Sequence, residues 1–426
     1  MIVEPEKKLR KSKRLNWKRV GFLVLALFFF LLAGIGGGIY SILSALGTEG
    51  GGEHEYYAKA SQLKPGERIN VLFLGIDADR DAEGNVIPAD LHKARTRADV
   101  VILVSLDPIT GEVGVLSIPR DTRVPIMGHG LDKLTHAHAY GGPQLMMETV
   151  SNFLDVPIHY FVRTNFDGFS RIIDALGGVE MEIEKNMYYE DPYQNLVIDI
   201  KKGRQVLDGE KALQVMRYRQ YWNGDIGRVE VQHEFLQALM KKVFGVGMIL
   251  KLPSLTRELV DYVDTNMTPA EMLRLANMAR RIERDQIEMG MLAGNFGPNG
   301  IYWIADPHQE VVDRLIRGID REENSKIRLE VLNGTGIDGA AGRLAALLKD
   351  RGYQVVRVGN ADSFDFETTW AVNRSGNQEA FENVAVSVGR LGNYSVKVKE
   401  DVSEEAVVDV TIIIGKDFAF GENRAH

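Results

Sequence analysis

The chain is 426 residues long, which favours two or three domains, and its apolar fraction of 45% is that of an ordinary globular protein. The formal net charge of -8 is uneven, because residues 1–19 hold eight Lys/Arg against two Glu and the remainder therefore carries -14. Such an acidic body argues against general nucleic-acid binding, which needs a basic face. The absence of cysteine excludes disulfides, thiolate metal sites and a cysteine nucleophile.

A segment without any charge follows the basic N-terminus. It runs from Val20 to Tyr40, and as a helix its 21 residues would rise about 32 Å, enough to cross the hydrocarbon core of a bilayer. The positive-inside rule then predicts a single-pass protein of the cell membrane, with the N-terminus in the cytoplasm and the bulk outside the cell. A cleaved signal peptide is the alternative, although its apolar segment is usually shorter and no A-x-A site follows here.

Downstream of a polar, glycine-rich linker, the pattern predicts an α/β domain in which helices cover a central sheet. Apolar, β-branched segments predict strands buried on both faces, and alternating apolar and acidic residues predict a half-exposed strand. The predicted strands are 69–74, 100–106, 113–118, 159–164 and 179–183. The predicted helices are 144–154, 167–176, one that begins at the N-cap Asp208, 228–244, 269–282 with Thr268 as N-cap, and 306–316.

A charged segment with few apolar residues, at 320–325, predicts a domain boundary. Strands at 327–332, 354–358, 395–399 and 408–414 and a helix at 339–349 predict a second, smaller α/β domain after it. The predicted organisation is a basic cytoplasmic stub (1–19), a transmembrane anchor (20–46), a linker (47–66), a main α/β domain (67–320), a C-terminal α/β domain (326–416) and a tail (417–426).

Two carboxylates lie at the edges of predicted strands, where the functional side chains of open sheets converge. Asp77 follows the first apolar segment, and Asp99 precedes the second. Two carboxylates together with the phosphate oxygens of a substrate are the usual ligands of Mg²⁺. The alternative is a pair of solvated turn residues at strand ends.

Arginines surround these carboxylates in the sequence. The guanidinium groups of Arg95, Arg97 and Arg120 suit phosphate oxygens, because each offers a permanently charged fork of donors. The alternative is a solvent-facing ion-pair network with Asp99 and Asp121. The cluster therefore indicates either a site for a phosphorylated substrate or a surface network.

A second polar cluster lies about a hundred residues later. Arg217 and Arg219 are spaced i, i+2, and we expect them just past the end of the helix capped by Asp208, both directed to one site. Arg228 and Gln232 are spaced i, i+4 and share a helix face. An ordinary amphipathic helix with a solvated first turn is the alternative for this pair.

Two further sequence patterns are explained better by a structural role than by metal or phosphate binding. His136 and His138 could share a strand face as metal ligands, but an i, i+2 pair without further ligands is weak. The segment Asn333–Gly336 follows a predicted strand and precedes a helix, so it could bind phosphate, but it lacks the GxGxxG and Walker patterns. A plain tight turn is the better interpretation of that segment.

Taken together, these residues resemble the LytR-CpsA-Psr family of bacterial cell-wall ligases. The resemblance rests on NVLFLGID, RADVVILVSLDP, VLSIPRDT, AYGGPQ, NFDGFSRIIDALGGVEMEI, LDGEKALQVMRYR and GDIGRVEVQHEFLQAL, which follow in order between about residues 69 and 240. The tail, LEVLNGTGIDGAAGRLAALLKDRGYQVVRVGNA, resembles the C-terminal domain often fused to that family.

The resemblance implies a Mg²⁺-dependent phosphotransferase at the outer leaflet of the membrane, with residues 67–320 as its catalytic domain. Such enzymes take a glycopolymer, such as teichoic acid or capsule, from an undecaprenyl-pyrophosphate carrier and attach it to peptidoglycan through a phosphodiester. Hydrolysis of a polyprenyl pyrophosphate is an expected side activity.

The same resemblance implies roles for matching positions. The magnesium ligands are Asp77 and Asp99. The pyrophosphate-binding residues are Arg95, Arg97, Arg120, Arg217, Arg219 and Arg228. The catalytic residues are Asp99, Arg120, Arg217, Arg219 and Gln232.

Two other classes of function remain as alternatives. A non-enzymatic binding protein would hold polyprenyl phosphate among the arginines and grip the wall through the C-terminal domain. A transcriptional regulator would need contact with cytoplasmic DNA, against which the membrane segment and the acidic body argue.

Overall fold

The computed structural model describes residues 66–76, 96–191, 196–218, 262–279, 286–392, 396–403 and 405–418, together with a few isolated positions. Within these ranges no helix is both long and apolar enough to cross a membrane. The charge-free segment from Val20 to Tyr40 lies outside them.

Up to residue 324 the described chain alternates strands and helices, as predicted for an α/β domain. Its strands are β1 (Ile69–Ile76), β2 (Ala98–Leu106), β3 (Val113–Ser117), β4 (Arg123–Ile126), β5 (Gly130–Lys133), β6 (Tyr160–Asn165), β7 (Val179–Ile183), β8 (Met187–Asp191), β9 (Leu196–Ile200), β10 (Gly203–Leu207), β11 (Asp264–Thr265), β12 (Ile287–Met291), β13 (Asn295–Phe296) and β14 (Trp303–Ile304). Its helices are α1 (Leu134–Leu154), α2 (Phe166–Ala175), α3 (Gly209–Arg217), α4 (Pro269–Ala279), α5 (Glu310–Val312) and α6 (Arg321–Asn324), with a π-helical turn at Asp313–Arg317.

Six strands form the central sheet, in the order β11-β6-β1-β2-β3-β12. β2 lies antiparallel to both β1 and β3, whereas β6 is parallel to β1 and β12 is parallel to β3. The carboxyl ends of β1, β3, β6 and β12 therefore meet the amino end of β2 at one edge. We call this the upper edge of the sheet, and the opposite one the lower edge.

Both faces of the sheet are buried, as predicted from its continuous apolar strands. Val71 and Val104 join one apolar cluster with residues of α2, α3 and α4. Leu72 and Leu103 join the other cluster with residues of α1 and of the π-helical turn. Successive side chains of a strand point to opposite faces, so strands covered on both sides must be apolar at nearly every position.

Helix α1 begins at Leu134, well before the predicted start at 144. The run Gly141-Gly142-Pro143 does break the helical geometry, because Gly142 adopts φ 66° and ψ -159°, but the chain is helical on both sides of it. Proline lacks an N–H and is tolerated directly after such a break. The prediction is therefore correct only for the second half of the helix.

Two predicted N-caps are confirmed. At the start of α3, the Oδ1 atom of Asp208 accepts a hydrogen bond from Lys211 N at 2.9 Å. At the start of α4, Thr268 Oγ1 accepts from Glu271 N at 3.3 Å while Glu271 Oε2 accepts from Thr268 N at 2.7 Å. This reciprocal pair satisfies two backbone donors at once.

Other predicted helices differ from the structure. The helical segment expected within 306–316 begins only at Glu310, because Asp306 first forms a turn with His308 N and Gln309; α5 and the π-helical turn then continue to Arg317. The helix predicted at 228–244 lies mostly outside the described residues, although Val231 and Phe235 are helical. The sequence pattern does not predict the hairpins β4–β5, β8–β9 and β13–β14.

The chain beyond residue 325 forms a second sheet with helices on one face. Its elements are β15 (Arg328–Asn333), α7 (Ala340–Asp350), β16 (Gln354–Asn360), β17 (Thr369–Asn373), α8 (Gln378–Leu391), β18 (Val396–Glu400) and β19 (Val410–Ile414). The strand order is β16-β15-β19-β17-β18, and α7 and α8 share one apolar cluster with β15, β17 and β19. Asn333 Oδ1 accepts from Thr335 N at 3.0 Å, so the segment after β15 is a side-chain-closed turn. The α/β prediction is confirmed here, although it omits β17 and α8.

A buried carboxylate at the lower edge joins the two parts of the chain. Asp107 follows β2, is fully buried, and pairs with Arg68 at 3.2 Å and with Arg390 of α8. Burial lowers the pKa of Arg68, partly opposed by Glu112. Because Asp107 and Asp99 lie at opposite ends of β2, about 27 Å of strand separates the C-terminal domain from Asp99.

Replacing Asp107 by Ala should destabilise the protein. The buried guanidinium of Arg68 and the mostly buried one of Arg390 would lose their shared carboxylate, and breaking a buried ion pair in this way costs about 3–5 kcal/mol. Urea denaturation of the purified full-length chain, followed by circular dichroism, measures this change. The control is Glu180→Ala, which removes an exposed pair with Arg204 and should change stability by less than about 1 kcal/mol. Equal effects of the two substitutions would contradict the role of Asp107.

Candidate functional site

The predicted site residues that the structure describes lie at the upper edge of the sheet. Asp99 is near the start of β2, Arg120 follows β3, and Arg217 ends α3. Neighbouring strands are about 4.8 Å apart, so β6 and β3 are separated by roughly 14 Å. The polar groups described below fall within that span or beside it.

Asp99 occupies a β-bulge. Gly75 of β1 pairs with Val100 and Ile76 pairs with Ala98, which leaves Asp99 as the extra residue of β2. A side chain at position 75 would bring its Cβ to 3.0 Å from the Val100 Cβ, so glycine allows the strands to approach here. Bulges redirect a side chain and are frequent beside active sites. The bulge therefore explains how an acidic residue inside a buried strand reaches the edge.

Arg120 links two carboxylates. Its Nη1 atom lies 2.9 Å from Asp99 Oδ1, and its Nε atom lies 3.7 Å from Asp121 Oδ2. Lys133 Nζ contacts the other oxygen of Asp121 at 2.7 Å. Of the ion pairs considered as an alternative, those of Arg120 with Asp99 and Asp121 are therefore formed. Its members remain 25–37% exposed, so a ligand in solvent can reach them.

Lys133 is a site residue that the sequence pattern does not identify. It reaches Asp121 because the β4–β5 hairpin turns the chain back, and the Lys133 N-cap leads directly into α1. A cation at a helix N-terminus is disfavoured by the helix dipole and offers no acceptor for the first amides. A lysine at this unfavourable N-cap position is the local feature that could have indicated a role for Lys133. The sequence shows that feature only if the start of α1 is already known.

Arg217 lies at the β6 end of the upper edge, away from Arg120 and Lys133. It is the last residue of α3, so the prediction that it lies past the helix end is wrong, and the chain becomes extended only at Tyr218. Its guanidinium carbon is 5.4 Å from the ring centroid of Phe166, the first residue after β6, a cation–π distance. Arg97, directly before β2, is exposed. Positive charge is therefore present both at the β6 end and at the β3 end of the upper edge.

Five predicted site residues lie outside the described residues. They are Asp77, Arg95, Arg219, Arg228 and Gln232.

His136 and His138, considered as a pair of metal ligands, lie in different environments. Both lie in the first turns of α1 rather than on a strand. His136 is 30% exposed and its Nδ1 is 2.8 Å from Asp132, whereas His138 is fully buried. Among the described residues no group of three or more His, Cys, Asp or Glu is arranged to hold a metal ion.

A buried polar chain runs beneath the site. Arg163 of β6 is 1% exposed, and its Nε donates to Asp264 at 2.6 Å while its Nη1 donates to His138 Nε2 at 3.2 Å. A guanidinium can only donate, so His138 Nε2 must accept and the ring proton sits on Nδ1. That Nδ1–H donates to the carbonyl of Thr96 at 2.6 Å. The chain of hydrogen bonds thereby holds the backbone just before Arg97 and Asp99.

The described part of the site fits Mg²⁺ bound with a substrate. Asp99 offers a partly exposed carboxylate at the sheet edge. Mg²⁺ needs only one or two carboxylates when phosphate oxygens and water complete its shell. Asp99 would be one ligand, and Asp77, outside the described residues, would be the other.

Comparison with known protein families gives two matches. Residues 44–316 match the model of the LytR_cpsA_psr family, and residues 326–418 match a model described as LytR cell envelope-related transcriptional attenuator.

Several curated relatives share the first of these regions. The polyisoprenyl-teichoic acid–peptidoglycan teichoic acid transferase TagU of Enterococcus faecalis is 31% identical over 72% of this chain and 96% of its own length. TagU of Bacillus subtilis is 31% identical over 61% of this chain and 82% of its own length. TagT of the same species is 29% identical over 70% of this chain and 93% of its own length.

Solved structures are similar over the same region. B. subtilis TagV is 30% identical and covers 59% of this chain and 97% of its own, with a TM-score of 0.47. A TagT structure with bound octaprenyl pyrophosphate lipid is 30% identical, covering 60% and 92%, with a TM-score of 0.43.

Replacing Arg163 by Met should lower the free energy of unfolding by about 3–5 kcal/mol, because the buried Asp264 would lose its ion pair with Arg163. The double variant Arg163→Met/Asp264→Leu should recover much of that loss, since no buried charge is left unpaired. Urea denaturation of the single and double variants measures the coupling. If the two substitutions were simply additive, the buried chain would not be an interacting unit.

Proposed function

The chain belongs to the LytR-CpsA-Psr family, and we propose that it transfers a glycopolymer from a polyprenyl-pyrophosphate carrier to peptidoglycan through a phosphodiester. The named activity of its TagU and TagT relatives supports this substrate class, since both are teichoic acid transferases. The TagT structure that holds octaprenyl pyrophosphate lipid supports a pyrophosphate-linked carrier.

The observation that carries the proposal is the arrangement at the upper edge of the sheet. The carboxylate Asp99 lies on the bulge, the cations Arg120 and Lys133 are on its β3 side, and Arg217 is on the β6 side. A pyrophosphate bears several negative charges, and guanidinium forks bind phosphate oxygens by paired hydrogen bonds. Substrate oxygens would compete with Asp99 and Asp121 for the donors of Arg120.

The reaction is a substitution at the phosphorus that bears the glycan. A peptidoglycan hydroxyl oxygen forms the new P–O bond, and the P–O bond to the polyprenyl phosphate breaks. In the proposal, Asp99 takes the hydroxyl proton, and the arginines neutralise the charge that builds on the leaving polyprenyl phosphate. Mg²⁺, held by Asp99 and Asp77, would add charge neutralisation at the pyrophosphate oxygens.

The proposal includes a single membrane anchor at residues 20–46, which would place the N-terminus in the cytoplasm and the catalytic domain at the outer leaflet. The charge-free segment and the lysines and arginines before it support this topology. A carrier that stays in the membrane could then reach the site.

Replacing Arg120 by Ala should slow transfer by about 10²–10³-fold, the usual effect of losing one preorganised donor to a charged transition state. Arg120→Lys should recover only part of the rate, because lysine lacks the two-pronged guanidinium. Mass spectrometry of conjugates formed by the full-length chain from carrier-linked glycan and peptidoglycan fragments measures this. Arg204→Ala, an exposed arginine of β10, is the control and should keep the wild-type rate.

A folded Arg120→Ala variant with the wild-type rate would contradict the proposed site. Tight binding of the carrier by the wild-type chain, with no conjugate formed in the presence of Mg²⁺ and acceptor, would instead favour the non-enzymatic binding protein.

Removal of divalent cations with EDTA should reduce transfer by about 10²-fold or more, and added Mg²⁺ should restore it. In Asp99→Asn, the maximal rate should fall because the base is lost, and the Mg²⁺ concentration for half-maximal rate should rise because a ligand loses its charge. A rate unaffected by EDTA would contradict the role of the metal, while leaving the arginine site to be judged by Arg120→Ala.

A further inference from the structure

A group of exposed and half-buried rings, together with a carboxylate, extends the upper edge beyond Lys133. We call it the rim cluster: His129, Asp132, His136, Tyr140 and Tyr302. The rings of His129 and Tyr140 are stacked, with centroids 4.2 Å apart and planes at 11°, and the His136 ring lies 6.0 Å from that of Tyr140. Tyr140 is 41% exposed. The cluster thus presents ring surfaces to solvent.

Asp132 connects the rings by hydrogen bonds. Its Oδ2 accepts from Tyr140 Oη at 2.8 Å and lies 2.8 Å from His136 Nδ1, and its Oδ1 accepts from Lys133 N at 2.7 Å. Burial alone would raise the pKa of Asp132, but the bonds from His136 and Tyr140 outweigh it and lower the pKa. Because Nδ1 of His136 faces this carboxylate, the other ring nitrogen, Nε2, is the one that can meet a ligand. The cluster therefore combines ring surfaces with hydrogen-bond acceptors.

The rim cluster is continuous with the candidate active site. Asp132 directly precedes Lys133, whose Nζ contacts Asp121. Thr135 N donates to the carbonyl of Arg120 at 3.0 Å, so the start of α1 is attached to the loop that carries Arg120. On the far side, Trp303 N donates to the carbonyl of Asp121 at 2.8 Å, which brings the neighbouring Tyr302 to the same loop.

We propose that the rim cluster is the subsite that binds the acceptor glycan. The inference rests on the proposed function, which needs a sugar hydroxyl beside the phosphorus held near Arg120. An uncharged stretch of glycan gains little from a row of cations. Its C–H faces pack on aromatic rings, and its hydroxyls donate to carboxylate and imidazole acceptors.

In-line substitution places the acceptor at the opposite side of the phosphorus from the leaving polyprenyl phosphate. The cations of the upper edge form a row from Arg217 at the β6 end to Lys133 at the β3 end. The two ends of this row differ in the aromatic rings beside them. At the β6 end the Phe166 ring is covered by Arg217, whereas at the β3 end the stacked rings of His129 and Tyr140 adjoin Lys133 through Asp132, and only the Tyr302 ring of the rim cluster has a cation, Arg123, over it. The acceptor therefore approaches from the β3 end.

A bilayer surface is the competing occupant, because Met127 and Leu131 of the adjacent β4–β5 hairpin are 59% and 58% exposed. Asp132 argues against it. Its lowered pKa keeps it ionised, and an ionised carboxylate is costly at a hydrocarbon surface. Hydrated sugar hydroxyls suit such a carboxylate, whereas lipid chains do not.

The test compares Tyr140→Ala, Tyr140→Phe and Asp132→Asn in the full-length chain, using a peptidoglycan tetrasaccharide as acceptor. Tyr140→Ala should raise the KM for the tetrasaccharide about tenfold, the equivalent of losing one good ring contact, with the KM for the carrier within about twofold of wild type. Tyr140→Phe should keep most of the affinity because the ring remains. The control is Tyr188→Ala, an exposed tyrosine of β8 that also donates to a carboxylate, Glu190.

Isothermal titration calorimetry, in which the tetrasaccharide is added to the full-length chain without carrier, separates this inference from the proposed function. Binding that Tyr140→Ala weakens supports the subsite even if wild-type chain forms no conjugate. Transfer by wild type with an unchanged acceptor KM in both Tyr140→Ala and Asp132→Asn overturns the subsite and leaves the proposed function standing. A rise in the carrier KM alone, or loss of binding to phosphatidylglycerol vesicles with an intact acceptor KM, also overturns it and favours the donor or the bilayer.

Discussion

The constraint on which the structure depends is a sheet buried on both faces. Such a sheet favours polar groups at its two edges, and a carboxylate lies at each end of β2. Asp99, at the upper end, is turned out of the strand by a bulge, whereas Asp107, at the lower end, is buried under Arg68 and Arg390. The same strand therefore separates the proposed chemistry from the attachment of the C-terminal domain.

One exception to the apolar sheet supports the site from beneath. Arg163 is a fully buried arginine in the middle of a strand, tolerated because Asp264 and His138 satisfy its donors. Well-packed apolar residues in place of both Arg163 and Asp264 would often be no less stable, although removal of one partner alone is costly. The hydrogen bond from His138 to Thr96 offers a reason for the polar choice: it holds the chain directly before Arg97 and Asp99, where a small displacement would matter to a bound pyrophosphate.

Sequence patterns predict the parts of this structure that follow from local composition. The apolar strands, the Asp208 and Thr268 caps, and the convergence of Asp99 and Arg120 at strand ends belong to this group. Lys133 and the rim cluster depend on the β4–β5 hairpin and on a helix that continues through Gly142, which local rules interpret as a turn. Helix α8 escapes prediction because its valines suit a strand as well as a helix, and only packing against β17 decides.

The measurement that tests the central claim most directly follows the fate of the phosphorus itself. The full-length chain would receive a carrier labelled with ³²P only at the phosphate next to the glycan, together with peptidoglycan and Mg²⁺. Transfer through a phosphodiester predicts that the label appears in peptidoglycan, in equal amount to the unlabelled polyprenyl phosphate released. Label that stays on the carrier, or that appears only as free phosphate or unattached glycan phosphate, would contradict the account.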